Sequence, residues 1–271
     1  MPLTDLIRYF NAADSAGEST LYPEGERAAA WHRGLRLNSL FQPIVDLRAQ
    51  RIVGHHATLN ARQEDGTPVS AESAYALCTS PEAIIHFDRL CRTLHALNFL
   101  AQHDYAGGYL QLAIHPRHLL AVQSQHGMVY EAILKRCGLA PEDIVLAIDA
   151  GQFGDDPRLI AALHNYRRRG YRLALHAPAA PDGGSAWLDL QPDILRLELA
   201  QLHRLFPAGT PDGLVIELSG IDGDAELALA RSTGAQLGHG RLFGPPASDC
   251  LPTHSKQRVA YNRGSPSGAP T

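Results

Sequence analysis

Four histidines stand where side chains could do chemistry. His56 lies inside the apolar run Ile52–Leu59, while His115, His176 and His239 follow the apolar runs Gly108–Ile114, Tyr171–Leu175 and Ala235–Leu237. Imidazole nitrogens suit zinc, iron, nickel or copper better than magnesium, so a transition-metal site is one reading. No H-x-H or H-x-x-x-H pair occurs among the four, which favours the plainer reading of polar rings filling a wet cleft. Arg117 and Arg241 follow two of the same runs, Arg196 lies within the run Ile194–Leu197, and all three could hold an anion. The competing reading for each is a solvated or salt-bridged surface arginine. Glu198 and Asp222 are the acids expected nearby. Two carboxylates are too few for a hard divalent cation, which takes several oxygen ligands.

These residues depend on strands to hold them. Leu40–Leu47 and Ile52–Leu59 are separated by the polar turn Arg48–Arg51 and read as a strand pair. Ser70–Cys78 and Pro81–His103 read as helices, the second with an apolar stripe of Ile84, Phe87, Leu90, Leu94 and Leu97. Strands and helices then alternate: strand Gly108–Ile114, helix Gln123–Cys137, strand Asp143–Ile148, helix Pro157–Arg169, strand Tyr171–Leu175 and a weak helical turn at Ala186–Leu190. Strand Ile194–Leu197, helix Leu199–Phe206, strand Leu214–Leu218, helix Ala225–Ser232 and a short strand at Ala235–Leu237 follow. That rhythm predicts an α/β fold with a largely parallel sheet, and its count suits a (β/α)8 TIM-like barrel.

Before the strand pair, Leu3, Leu6, Ile7 and Phe10 recur at helical spacing, and Pro23–Leu37, with Ala28, Trp31 and Leu35, reads as a second helical piece. The expected organisation is an N-terminal helical extension over 1–39, a barrel over 40–250 and a disordered tail over 251–271, where the chain turns polar and ends in Gly, Ser and Pro. The extension reads either as a lid on the barrel or as a partner-docking arm.

Composition narrows the function classes. The chain has 271 residues, 45% of them hydrophobic and 19% charged, which is ordinary for a globular protein large enough to bury a sizeable core. A net charge of −4 argues against a broad nucleic-acid-binding surface. No apolar run is long enough to span a bilayer, and Met1–Leu6 lacks the basic-then-apolar order of a secretory signal. Cys78, Cys91, Cys137 and Cys250 are scattered with no C-x-x-C pair and read as reduced thiols. The expected location is therefore the cytoplasm, with no membrane and no nucleic acid as partner.

Several segments, taken in order, resemble the EAL domain family, the barrel that hydrolyses cyclic di-GMP. Gln42-Pro43-Ile44 is similar to its first-strand QPI segment, and Ala113-Ile114-His115-Pro116-Arg117 to its Asn-x-Ser-Pro-Arg strand end. Ile144–Ala150 stands where the family has Glu-x-Thr-Glu, and Gly170–Leu175 approaches its Asp-Asp-Phe-Gly loop. Pro192–Glu198 resembles its Pro-x-x-x-Lys-x-Asp strand, and Gly238–Gly244 its closing Gly-Gln-Gly-Tyr-x-Phe. The resemblance runs from about Leu40 to Pro246 and implies a barrel of the EAL type.

The resemblance also implies where the family's metal and catalytic groups would stand, and most are replaced. The glutamate of the naming triplet is His56, the next strand's asparagine is Ala113, and the following glutamate is Ala147. The paired aspartates are His176 and Ala177, the lysine is Arg196, the glycine-flanked glutamate is Ser219 and the closing glutamine is His239. Family members use magnesium or manganese to activate a water for attack on phosphorus. Loss of one such group costs orders of magnitude in rate, and alanines supply no ligand atom.

The expectation is thus a non-enzyme, a degenerate relative with no metal and no cofactor, acting in bacterial cyclic di-GMP-related signalling by binding a regulatory protein. The alternative is a non-hydrolysing cyclic di-GMP receptor with Gln42, Arg117, Arg196 and Arg241 as ligands. A homodimer is a further expectation, set against the loop Pro178–Ser185, which departs from the family's dimer-coupling loop.

Overall fold

The computed structural model describes residues 2–13, 19–102, 107–122, 126–152, 156–177, 190–205 and 213–252. Helix α1 (Leu3–Ala13) precedes strands β1 (Ser19–Glu24), β2 (Arg27–His32), β3 (Leu35–Asp46), β4 (Arg51–Arg62) and the short β5 (Pro68–Val69). Helices α2 (Ala71–Ala76) and α3 (Pro81–Leu100) lead to β6 (Tyr109–Ala113), followed by α4 (Pro116–Ala121), α5 (Met128–Cys137), β7 (Ile144–Asp149) and α6 (Pro157–Arg168). The rest comprises β8 (Arg172–His176), β9 (Ile194–Glu198), α7 (Leu199–Leu205), β10 (Val215–Ser219), α8 (Asp224–Ser232) and β11 (Leu237–Gly238).

The strands run in the order β1-β2-β3-β11-β10-β9-β8-β7-β6-β4-β5, and β3 also pairs with β4. That second pairing closes β3, β4 and β6 to β11 into an eight-stranded barrel. Neighbouring strands from β4 round to β11 are parallel, whereas β3 runs antiparallel to both of its neighbours, β4 and β11. The predicted turn between the long strands is present. Asp46 Oδ1 accepts from the amides of Arg48 and Ala49, and Gln50 sits at φ 54.

Pro23–Leu37 is not helical but forms β1, β2 and the start of β3. Ala28, Trp31 and Leu35 match a helical stripe by coincidence, while two turns decide the outcome. Gly25 takes φ 60, and Arg33 and Gly34 take φ 48 and 78, a hairpin turn with both central residues left-handed. Ala28, Ala29 and Ala30 are fully buried and Trp31 points outward. The extension over 1–39 is thus one helix and a strand pair continuous with the barrel sheet. Its helix is not a free arm, because Leu6 and Ile7 are buried against Leu21, Ala28 and Ala30, and Asn11 exchanges two hydrogen bonds with the Leu21 backbone.

A helix absent from the expectation, α4, starts at Pro116, with the His115 ring capping the Arg117 amide at 3.1 Å. Its presence puts the start of the next helix at Met128 rather than near Gln123. The Ala186–Leu190 turn, the Pro178–Ser185 loop and all but the first residues of the 251–271 tail lie outside the described residues.

Successive side chains of a strand point to opposite faces, so the barrel interior is built in layers. Tyr109, Val145, Ala174, Ile194 and Leu237 belong to one buried apolar cluster with Ile44 and Val53. Two residues further along their strands come Gln111, Ala147, His176, Arg196 and His239, a polar layer directly above an apolar one. Outside the ring, Leu110, Leu112, Leu146, Leu173, Leu195 and Leu197 pack against the helices.

The β6 strand can begin beside β4 only with glycine at 108. A Cβ there would lie 2.2 Å from the Val53 carbonyl oxygen, and φ is +90. Gly108→Ala is expected to cost about 3 kcal/mol or more, since backbone overlap and left-handed strain add. Gly25→Ala, left-handed but with nothing within 4 Å, should cost only about 1 kcal/mol. Urea unfolding of the two variants checks the difference.

Candidate functional site

The mouth of the barrel is organised by an acid that the sequence patterns did not single out. Glu217, from β10, is completely buried. Its Oε2 accepts a hydrogen bond from Gln111 Nε2 at 2.9 Å, and its Oε1 lies 3.3 Å from Arg196 Nε and 3.7 Å from His239 Nδ1. Arg196 Nη2 in turn contacts His239 Nε2. One carboxylate, one guanidinium, one amide and one imidazole therefore close on one another across β6, β9, β10 and the end of β11.

Charge and burial fix the protonation states. Burial, then the Arg196 charge, pushes His239 down to about 3. The neutral ring takes the tautomer with its proton on Nδ1, facing Glu217, and its Nε2 lone pair facing Arg196. Burial, then Arg196 and His239, holds His56 well below its ordinary value, and burial followed by Arg196 lowers His176. The His56 and His239 rings meet edge-on with centroids 6.2 Å apart. At neutral pH the layer thus holds a buried ion pair surrounded by uncharged imidazoles.

The other expected residues are dispersed. Ala113 is exposed, Ala147 half-buried and Ala177 buried, and each offers only a methyl group. Ser219 donates its hydroxyl to the Leu197 carbonyl at 3.1 Å. His115 is a helix cap, its ring stacked on Tyr75 at 4.2 Å. Arg117 donates to the carbonyls of Tyr75 and Cys78, so it clasps α2 rather than facing the mouth. Arg241 and Asp222 form an exposed pair at 2.8 Å, and Gln42 donates to the Gly244 carbonyl at 3.1 Å. Of the expected anion ligands, only Arg196 reaches the central network.

Glu217 stands at the middle of the strand Val-Ile-Glu-Leu-Ser, two residues before Ser219 and hence on the same face. An acid within an otherwise apolar strand was the signal that could have found it. Asp149, at the end of β7, is a second overlooked acid, and its Oδ1 accepts from the Gly151 amide. Among the described residues, no three His, Cys, Asp or Glu side chains converge into a group able to hold a metal ion. The donor set does not fit magnesium or manganese. The one central carboxylate is turned onto Gln111 and Arg196, so its oxygens face an amide and a guanidinium.

A family model described as EAL domain matches residues 27–210. No protein with a curated description matches the sequence. Among solved structures, Klebsiella pneumoniae BlrP1, in a manganese and cyclic di-GMP complex, is 20% identical with a TM-score of 0.65, over 85% of this chain and 60% of that one. The Bacillus subtilis YkuI protein, with an EAL domain and in complex with cyclic di-GMP and calcium, is 18% identical with a TM-score of 0.64, over 80% of this chain and 57% of that one. A standalone versatile EAL protein from Vibrio cholerae, in a cyclic di-GMP-bound form, is 19% identical with a TM-score of 0.60, over 80% of this chain and 95% of that one. The chain thus spans about three fifths of BlrP1 and YkuI but nearly all of the standalone protein.

Two outcomes test the central network. Arg196→Met strands a buried carboxylate and is expected to cost about 3–5 kcal/mol, with Arg196→Met/Glu217→Gln recovering most of it, as denaturant unfolding would record. The depressed His239 pKa means that the unfolded chain binds a proton that the folded chain refuses between about 6.5 and about 3. Its contribution is present above pH 6.5 and is lost as pH falls through that window. His239→Gln should therefore flatten the acid-side stability profile by up to about 1.4 kcal/mol per pH unit.

Proposed function

The chain belongs to the EAL domain family of cyclic di-GMP signalling, and from that premise we propose that it is a member without phosphodiesterase activity that works in the cytoplasm by binding a regulatory protein. The observation that carries this reading is the Arg196–Glu217 pair in the mouth. A hydrolase of this family needs open oxygen donors there for hard divalent cations. In this chain three of the corresponding positions, Ala113, Ala147 and Ala177, end in methyl groups. Three more, His56, His176 and His239, carry imidazoles that stay uncharged at neutral pH. Arginine at 196 is also a poor substitute for lysine beside a nucleophilic water, being bulkier and already engaged.

Retention of the barrel, with its turn glycines and closing strand, after the loss of these donors supports reuse of the fold for binding. The non-hydrolysing cyclic di-GMP receptor is the second reading. BlrP1, YkuI and the Vibrio cholerae protein were solved with that ligand, and Arg196 retains a positive charge in the mouth. Against it, Arg117, Arg241 and Gln42 already have protein partners, and the central positive charge is offset by Glu217. A transition-metal site built on the histidines has less support still, since Arg196 stands between His239 and any cation.

Purified protein supplied with magnesium or manganese is expected to leave cyclic di-GMP intact, and calorimetry to register no heat up to high-micromolar ligand. Turnover that disappears in Arg196→Ala or Glu217→Gln would refute the first statement. Saturable heat without turnover would replace protein binding by the receptor reading. A host protein that forms a stoichiometric complex with the purified chain is the positive outcome expected of the first reading.

A further inference from the structure

A cavity of about 310 Å³ opens on the flank of the barrel between α3, α4, α5 and α6, and shares no residue with the mouth. Arg89, Arg92, His118, Met128, Val129 and Tyr166 line it. Arg92 is engaged along one edge and over one face, with Nη2 3.3 Å from His118 Nε2 and the guanidinium carbon 4.2 Å over the Tyr130 ring. Its Nε donates to Asp88 at 2.8 Å and its Nη2 lies 2.5 Å from the same carboxylate. The remaining nitrogen, Nη1, meets no acceptor among the described residues, although the side chain is only 1% exposed. A buried guanidinium N–H left without an acceptor costs on the order of 1–3 kcal/mol. Arg92 is one of the residues that line the cavity.

Two further features point the same way. Arg89, one turn earlier on α3, has no hydrogen bond or ion pair among the described residues. Asp88 pairs with Arg92, and burial keeps His118 uncharged by pushing it down to about 3. Among the described residues no carboxylate therefore pairs directly with Arg89, whose pKa burial and the Arg92 charge lower while Tyr166 and Asp88 act against them. Helix α5 opens on the same cavity at Gly127, which sits at φ 85 and supplies no side-chain cap for the first-turn amides. A Cβ at Gly127 would lie 2.9 Å from the Tyr166 ring, so glycine lets this helix end come close against that ring. The carboxylate of Glu131, in the first turn of α5, is held by Arg169 at 2.9 Å. The site thus joins a positive helix end to two guanidinium groups, with its nearby acids already paired.

We propose that this flank cavity binds a small phosphate-type oxyanion, held by Arg89, Arg92 Nη1 and the first-turn amides of α5. The planar guanidinium edges match the oxygens of such an ion, and the volume leaves room for an organic ester behind the phosphoryl group. The source of the oxyanion is either free phosphate or a phosphate monoester.

Calorimetry of the whole chain at low salt, with orthophosphate in one arm and phenyl phosphate in the other, tests the site. Saturable binding of at least one probe is expected. Arg89→Gln should weaken it by about tenfold or more. Val129→Glu ties a carboxylate into the cavity at a helix position that suits one, so it should abolish binding while raising the melting temperature. Phenyl phosphate binding about tenfold tighter identifies a monoester site, and orthophosphate binding as well or better identifies a site for the free ion. No heat from either probe up to about 10 mM, or affinity unchanged in both variants, overturns the proposal.

Discussion

A closed barrel has to fill its own interior, and in this protein the upper interior is filled by charge. Glu217 is wholly out of water, so it must either be neutral or be held by partners that replace hydration. Gln111 and Arg196 supply that replacement from two different strands, and His239 completes it from a third segment. Each of these groups is poor without the others. The network ties Gln111, Arg196, Glu217 and His239 to one another, and it sets what the mouth can offer to a ligand.

The same logic operates on the flank of the barrel. Helix α3 carries an apolar stripe, yet Asp88, Arg92, His95, Asn98 and the following Gln102 are also buried. Asn98 exchanges two hydrogen bonds with the Ala28 backbone, His95 meets the Ser39 hydroxyl at 2.8 Å, and Gln102 accepts from the Cys250 amide. Polar groups on one helix thus define the registration of β2, β3 and the segment after the barrel. Apolar packing alone would tolerate sliding between these elements, whereas a buried amide that loses its partner does not.

Most of the architecture was legible in the sequence because the barrel strands are apolar runs bounded by turn residues. Strands β6, β7, β8, β9 and β10 fall within a residue or two of the patterns that announce them. The N-terminal strand pair was hidden because three successive alanines favour helix by propensity, which burial in the sheet overrides, and Arg33-Gly34 is not a familiar hairpin dipeptide. The site was less legible than the fold. The family resemblance marks His56, Arg196 and His239, and these three do meet. Arg117 and Arg241 could not be judged by spacing, because their fate depends on carbonyl and carboxylate partners distant in the chain. Glu217 escaped because strand patterning treats a lone acid as an interruption rather than as the centre of an interior.

The ring is sealed by its shortest member. β11 contributes two residues, Leu237 and Gly238, which bridge β10 to β3. During vectorial synthesis the ribosome releases β3 some two hundred residues before this seal, so the nascent sheet stays open along two unpaired edges for most of translation. An elongating chain of this design exposes sticky edges until almost its last strand emerges, and chaperone engagement in that interval is a natural demand of its topology.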